Sequence, residues 1–285
     1  MNENKNREFE KMAPDEYKEM KRNEKNEVFE MLSAATQKLM DPEMLKQYLD
    51  KQGLLLNMSV SNVLLIMEQK PDVTWLRTFD DWKRDDISLI KAEKGIKILE
   101  SSFYQKRDGS MGRSSKVGKL FDVSQTTARE LSVQKQTYKN VTDAIQHDLP
   151  VPIEPSSDIP EGSKVYYSPS ANKIFVAEEL SGKEFFNGMT RELTVIAMTL
   201  DGQRTREEVI PSAEMAAYML SKRYGVESTE IDFERVAKHF PGMEEKDVRK
   251  ELNEARFFAE KIDQKVQEYQ DRQRESKEKD IDRDR

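Results

Sequence analysis

Between Lys97 and Lys119 the chain carries six cations (Lys97, Lys106, Arg107, Arg113, Lys116, Lys119) against two acids (Glu100, Asp108), although its formal net charge is -7. Such a cluster has an electrostatic use. Lysine and arginine neutralise phosphates and release condensed counterions, so a patch of this kind follows a nucleic-acid backbone with an affinity that falls as salt rises. Phe103 and Tyr104 sit inside the cluster, and exposed rings stack on unpaired bases for about 1–3 kcal/mol each. The same residues also describe an ordinary solvated hairpin loop. Trp75, Phe79 and Trp82 read either as stacking platforms or as the core that holds strand to helix; their large apolar area favours core for at least two of them. Ser61 and Asn62 could contact nucleic acid or cap a helix.

Other chemistries are excluded by inventory. With no cysteine, disulfides, thiolate metal sites and cysteine nucleophiles are ruled out. Gly112–Lys119 looks like a phosphate loop but has five residues between its glycines and Leu120 where serine or threonine should hold magnesium. The two histidines, His147 and His239, lie far apart in sequence. No cofactor is expected. No apolar run approaches the roughly 20 residues of a membrane span, and the first residues carry no apolar leader core. The expectation is a cytoplasmic protein with no membrane partner.

These residues need elements to position them. The chain is 36% hydrophobic and 35% charged, which implies that some length lies outside any core. The pattern predicts a solvated arm over residues 1–27, a first domain over 28–147, a proline-rich linker over 148–163, a second domain over 164–270 and a charged tail over 271–285. In the first domain Val28, Leu32, Ala35 and Leu39 recur at helical spacing, and Asp41-Pro42 restarts a helix. Pro71 closes a further helix. Gly95–Leu99 alternates like a half-buried strand, and the glycine-rich basic stretch that follows predicts a hairpin with a long loop before Leu120–Val123. The second domain opens on a β-hairpin, Val165–Tyr167 with Lys173–Val176. Helices follow over Lys183–Thr199, Ser212–Tyr224, a short piece from Asp232, and Glu244 to about Gln273.

The segment from Tyr48 to Ser101 resembles the N-terminal domain of the ArdC antirestriction family and the LtrC-like proteins of conjugative elements. The matching pieces are Ser59, Ser61 and Asn62 at a helix start, Ile66–Pro71 at its end, Trp82, the Lys94–Ile98 strand and Phe121–Thr126. Their order and spacing carry the resemblance; any one alone would be weak. It implies sequence-independent binding of single-stranded DNA. The expected contact set combines the matched positions Ser61, Asn62, Trp82, Lys94, Lys97 and Gln125 with Phe103, Tyr104, Lys106, Arg107, Arg113, Lys116 and Lys119.

The second half resembles the ImmA/IrrE-type metallopeptidase domain. In that family a helix bears His-Glu-x-x-His, two histidines one turn apart on one metal with the glutamate activating water. Here Arg191 and Val195 stand at the histidine positions and Glu192 remains. Arginine has no lone pair to offer and valine no donor atom. Either Glu208 or Glu214 corresponds to the family's third ligand. The resulting expectation is an α+β protein: a mixed α/β module for single-stranded DNA followed by a mostly helical, zincin-like pseudo-peptidase without enzymatic activity. Its partners would be single-stranded DNA and conjugation or restriction proteins. The alternative is a protein-interaction module or acidic scaffold, since an acidic surface can imitate nucleic acid.

Overall fold

The computed structural model describes residues 13–128, 138–200, 202–228 and 231–283. The fold is mixed α+β. In chain order it runs α1 (Pro14–Lys38), α2 (Pro42–Leu54), α3 (Val60–Gln69), β1 (Leu76–Arg77), α4 (Phe79–Arg84), β2 (Ile96–Gln105), β3 (Met111–Asp122) and a 3-10 turn (Val123–Gln125). It continues with α5 (Tyr138–His147), β4 (Ile153–Pro155), β5 (Val165–Ser168), β6 (Lys173–Val176), α6 (Gly182–Thr199), α7 (Arg206–Tyr224), α8 (Phe233–Ala237) and α9 (Glu245–Arg283). Contacts divide the chain into two compact units, and each is discontinuous: residues 1–39 with 61–133, and residues 40–60 with 134–285.

In the first unit three antiparallel strands lie in the order β1-β3-β2. Helix α1 buries Val28, Leu32, Ala35 and Leu39, the i, i+4, i+7, i+11 stripe of an amphipathic helix. Residues 14–27, expected as part of a solvated arm, belong to this helix while staying mostly exposed. Pro14 at the first turn and the absence of glycine or proline after it allow the extension. Helix α3 contributes the buried Val63, Leu64, Leu65 and Ile66.

The second unit gathers α2 and α5 to α9 around a sheet ordered β4-β6-β5. Asp41 caps α2 by accepting from the Glu43 and Met44 amides at 2.9 and 3.0 Å. Its Leu45, Tyr48 and Leu49 are fully buried. Gly53 meets α7 so closely that a Cβ there would lie 2.5 Å from the Met219 carbonyl oxygen. Residues 40–60, read from the sequence as part of the first domain, therefore pack in the second unit, as does α5.

The proline-rich stretch is also more than a linker. Ile153–Pro155 pairs in parallel with Ile174–Val176, and the Pro152 carbonyl accepts from the Ile174 amide at 2.9 Å. An edge position tolerates proline because one side of the strand needs no donor. The β5–β6 hairpin forms as expected, with Val165 opposite Val176 and Ser168 opposite Lys173. Helix α9 continues ten residues past the expected end near Gln273, to Arg283. No glycine or proline interrupts it, and pairs such as Arg256–Glu260 at 2.8 Å and Arg274–Asp271 at 3.6 Å lend it support.

Candidate functional site

The cationic segment is a ribbon rather than a long loop. Strands β2 and β3 pair without interruption from Ile96 opposite Leu120 to Gln105 opposite Met111. The turn is confined to Lys106–Ser110: the Lys106 amide donates to the Ser110 carbonyl at 2.8 Å and the Gly109 amide to the Lys106 carbonyl at 3.0 Å. Gly109 has φ +82°, the left-handed conformation that Asp-Gly turns require. Hydrogen bonds from Ser110 to Asp108 lock the turn, the hydroxyl at 2.7 Å and the amide at 2.9 Å, and hold the Asp108 carboxyl below its usual range. Glycines occur within β3 because side chains of β2 lie across them. A Cβ at Gly112 would meet the Tyr104 ring at 2.5 Å, and one at Gly118 the Glu100 carboxylate at 2.1 Å.

Residues opposite one another share a face of the ribbon, which sorts the expected contacts. Phe103 and Tyr104, as neighbours in a strand, point to opposite faces. They are 69% and 51% exposed, and Met111 is 64% exposed. Lys106 and Arg107 stand exposed at the turn. Lys97 and Lys119 face each other on the Phe103 side, and Lys97 pairs with Glu27 at 3.1 Å. Lys116 lies on the Tyr104 side, paired with Glu100 at 3.0 Å. The Arg113 side chain lies outside the described residues. The ribbon tip thus brings together Phe103, Tyr104, Met111, Lys106 and Arg107, while the cations nearer the base divide between two faces and are partly neutralised.

Several expected contact residues hold the fold instead. The Asn62 amide oxygen accepts from the Leu99 amide at 2.9 Å, and its NH2 donates to the Leu99 carbonyl at 3.1 Å. Gln69, two turns further along α3, does the same for Lys97, both at 2.8 Å. These two side-chain amides occupy the outer edge of β2 where it would otherwise present unpaired groups. Ser61, beside them, is half-buried. Trp82 is fully buried, its indole N–H donating to the Phe121 carbonyl at 3.0 Å with the Arg77 guanidinium 5.1 Å from the ring. Trp75 and Phe79 are 38% and 40% exposed, so one of the three aromatics is core rather than two; the two-residue β1 offers too little sheet to cover the others. Gln125 is buried, accepting from the Asp122 amide and donating to Glu93 and to the Lys94 carbonyl, whereas Lys94 itself is exposed. Asp122 is buried too. Burial alone would raise its carboxyl, but hydrogen bonds from Ser124, Thr74 and Trp75 outweigh that and hold it below the usual range.

In the second unit the helix that carries Arg191, Glu192 and Val195 is α6, capped by Ser181 and Glu184. Glu192 has no exposed side-chain surface, and its two oxygens are fully claimed. Arg206, at the start of α7, donates to both at 2.7 Å; Arg191 Nε donates to Oε1 at 3.0 Å, and the Tyr167 backbone N–H to Oε2 at 2.9 Å. Arg191 also reaches the Val165 carbonyl at 3.0 Å, and the Arg206 guanidinium stacks 4.6 Å from the Tyr166 ring. Burial would lower the Arg206 pKa, yet its bonds to Glu192 outweigh that and raise it. Val195 is buried in an apolar cluster with Met198, Val209 and Ala213. Of the two acids left open by the sequence, Glu208 is a capping partner of Thr205. Glu214 instead lines a small cleft with Asn187, Arg191 and Tyr218, and is bound by Arg235. Burial pushes its carboxyl up. Among the described residues no cluster of three or more histidine, aspartate or glutamate side chains could hold a metal ion.

Sequence reasoning missed Arg206, Gln69 and Met111. Gln69 was legible in principle, since it lies seven residues from Asn62 on the same helix face; for Arg206 nothing local signals a partner in α6.

The architecture defines an α+β protein of two units interleaved in sequence, one with an exposed β-ribbon and one of helices gathered around a small sheet. No protein-family model matches the chain, and no curated protein matches it. Among solved structures it is similar to the antirestriction protein ArdC from plasmid R388. The metal-free crystal structure is 16% identical over 74% of this chain and 84% of that one, with a TM-score of 0.48. The Mn(II)-bound structure is 18% identical over 73% and 83%, also with a TM-score of 0.48. This is the family that the Tyr48–Ser101 segment resembles.

Proposed function

We propose that the first unit binds single-stranded DNA without regard to sequence, and that the protein is an antirestriction or conjugation-associated accessory factor whose second unit does no peptidase chemistry. The observation that carries the reading is the ribbon tip: Phe103, Tyr104 and Met111 more than half exposed beside the turn cations Lys106 and Arg107. Rings on both faces of a projecting ribbon suit bases that are splayed from a single strand, and the turn cations suit its phosphates. In the second unit Glu192, which would activate water in an intact zinc site, is neutralised by two arginines. That arrangement supports a structural role.

A fluorescence titration with a labelled unstructured oligonucleotide at 50 and 200 mM salt tests the first half. Binding should weaken as salt rises, and Lys106→Glu with Arg107→Glu should reduce it while the circular dichroism spectrum stays unchanged. Absence of binding at low salt, or binding indifferent to both salt and charge reversal, overturns it.

A further inference from the structure

A second site lies in the C-terminal unit, away from Glu192. Residues Leu193, Ile196, Ala197 and Leu200 follow the i, i+3, i+4, i+7 rule and form one stripe of α6. In a closed bundle that stripe would be covered. Here Ala197 is exposed and Leu200 is 82% exposed, and the stripe borders a cavity of about 350 Å³ walled by α5, α6 and α9. From α9 the cavity takes Phe258, Ile262 and Val266. This volume falls in the range of small-molecule pockets, roughly 300–1,000 Å³.

The rim is charged unevenly. At one end His147 and Arg272 both contact Asp148, at 3.2 and 3.5 Å, so the Arg272 charge already has an acid beside it. Glu268 also borders the cavity. Lys261 and Lys265, one helical turn apart on α9, line the same rim. Lys261 contacts the Phe257 ring and Gln264 but no acid, and Lys265 makes no ion pair among the described residues. An apolar chamber whose lip carries two ammonium groups with no ion pair among the described residues complements one kind of molecule.

We propose that this cavity binds a small amphipathic anion, an alkyl or aryl carboxylate, with its chain between α6 and α9 and its head group between Lys261 and Lys265. The site is independent of the DNA-binding reading and belongs to the other unit. Calorimetric titration of the full chain with hexanoate, octanoate and decanoate tests it. Affinity should rise about fourfold per added methylene, the increment for burying each in an apolar site. Lys261→Glu with Lys265→Glu should weaken decanoate roughly tenfold, about one charge contact at a half-exposed rim, and leave decanol unaffected. Ala197→Trp, which fills the chamber, should abolish binding of both.

The proposal is overturned if no carboxylate binds, as expected were the groove a seat for a protein helix instead. It is also overturned if decanol and decanoate bind alike or if chain length has no effect. Should Ala197→Trp fail to fold, the surface lysine variants and the chain-length series still decide.

Discussion

Replacing Glu192 by glutamine gives the clearest test of what the second unit has become. The carboxylate accepts four hydrogen bonds, three of them from arginines. Its side chain is 0% exposed, against 14% for Arg191 and 22% for Arg206. Glutamine keeps the shape but removes the charge, leaving two nearly buried guanidinium groups without the carboxylate that both of them bind. Removing one partner of a buried ion pair costs about 3–5 kcal/mol, and the residual exposure of the arginines favours the lower half of that range. In a folding unit of 150–250 residues each kcal/mol shifts Tm by about 2–4 °C, so a cost of about 3–4 kcal/mol gives an expected drop of roughly 6–16 °C. Thermal and urea unfolding followed by circular dichroism measure it. Glu192→Gln combined with Arg206→Met should cost less than the sum of the two single changes, because the double variant removes charge from both sides. A Tm within about 2 °C of the wild type, less than the shift from a single kcal/mol of lost stability on the same scale, would refute the assignment of Glu192 as a structural charge.

Further expectations follow from other sites. Phe103→Ala or Tyr104→Ala should weaken oligonucleotide binding roughly 5- to 150-fold each, the range for losing one stacking ring, in the same titration. Asn62→Asp retains an acceptor for the Leu99 amide but sets an oxygen against the Leu99 carbonyl; it should lower stability by about 1–3 kcal/mol and speed amide exchange along β2, readable by NMR. Asp122 has its folded pKa below its unfolded value of about 3.9. Its contribution is therefore complete above that value and lost as pH falls through the folded pKa, and Asp122→Asn should flatten the acid limb of a stability-against-pH curve. Elemental analysis of protein purified with added zinc should find less than one equivalent per chain.

Much of this architecture was legible because local rules agreed with the outcome. Asp41-Pro42, the Val165–Val176 hairpin and α6 obey capping and periodicity, and nothing distant overrides them. The basic stretch misled because Gly112 and Gly118 read as loop residues, whereas each makes room for a side chain of the opposite strand, a pairing that no local pattern reveals. The Asp108-Gly109 turn signal was the better guide. Helix α7 begins six residues before the expected Ser212: the Thr205–Glu208 capping box starts it, and Pro211 lies inside the helix. At the candidate sites, residue type gave away the exposed tip but not the structural uses of Asn62, Trp82 and Gln125. Each has a partner 31 to 39 residues away, beyond the reach of spacing arguments.

The interleaving of the two units governs how the molecule can be made. Leu45, Tyr48 and Leu49 leave the ribosome early, yet α7, against which their helix packs, is synthesised more than 150 residues later. Until then the nascent chain carries an apolar helix without its cover, an invitation to chaperones and to self-association. Cutting near residue 150 would strand that helix on the N-terminal fragment and leave the C-terminal one with a gap in its core. Separating the halves for study therefore calls for a circular permutation or a transplanted Pro42–Leu54 helix, not a simple truncation.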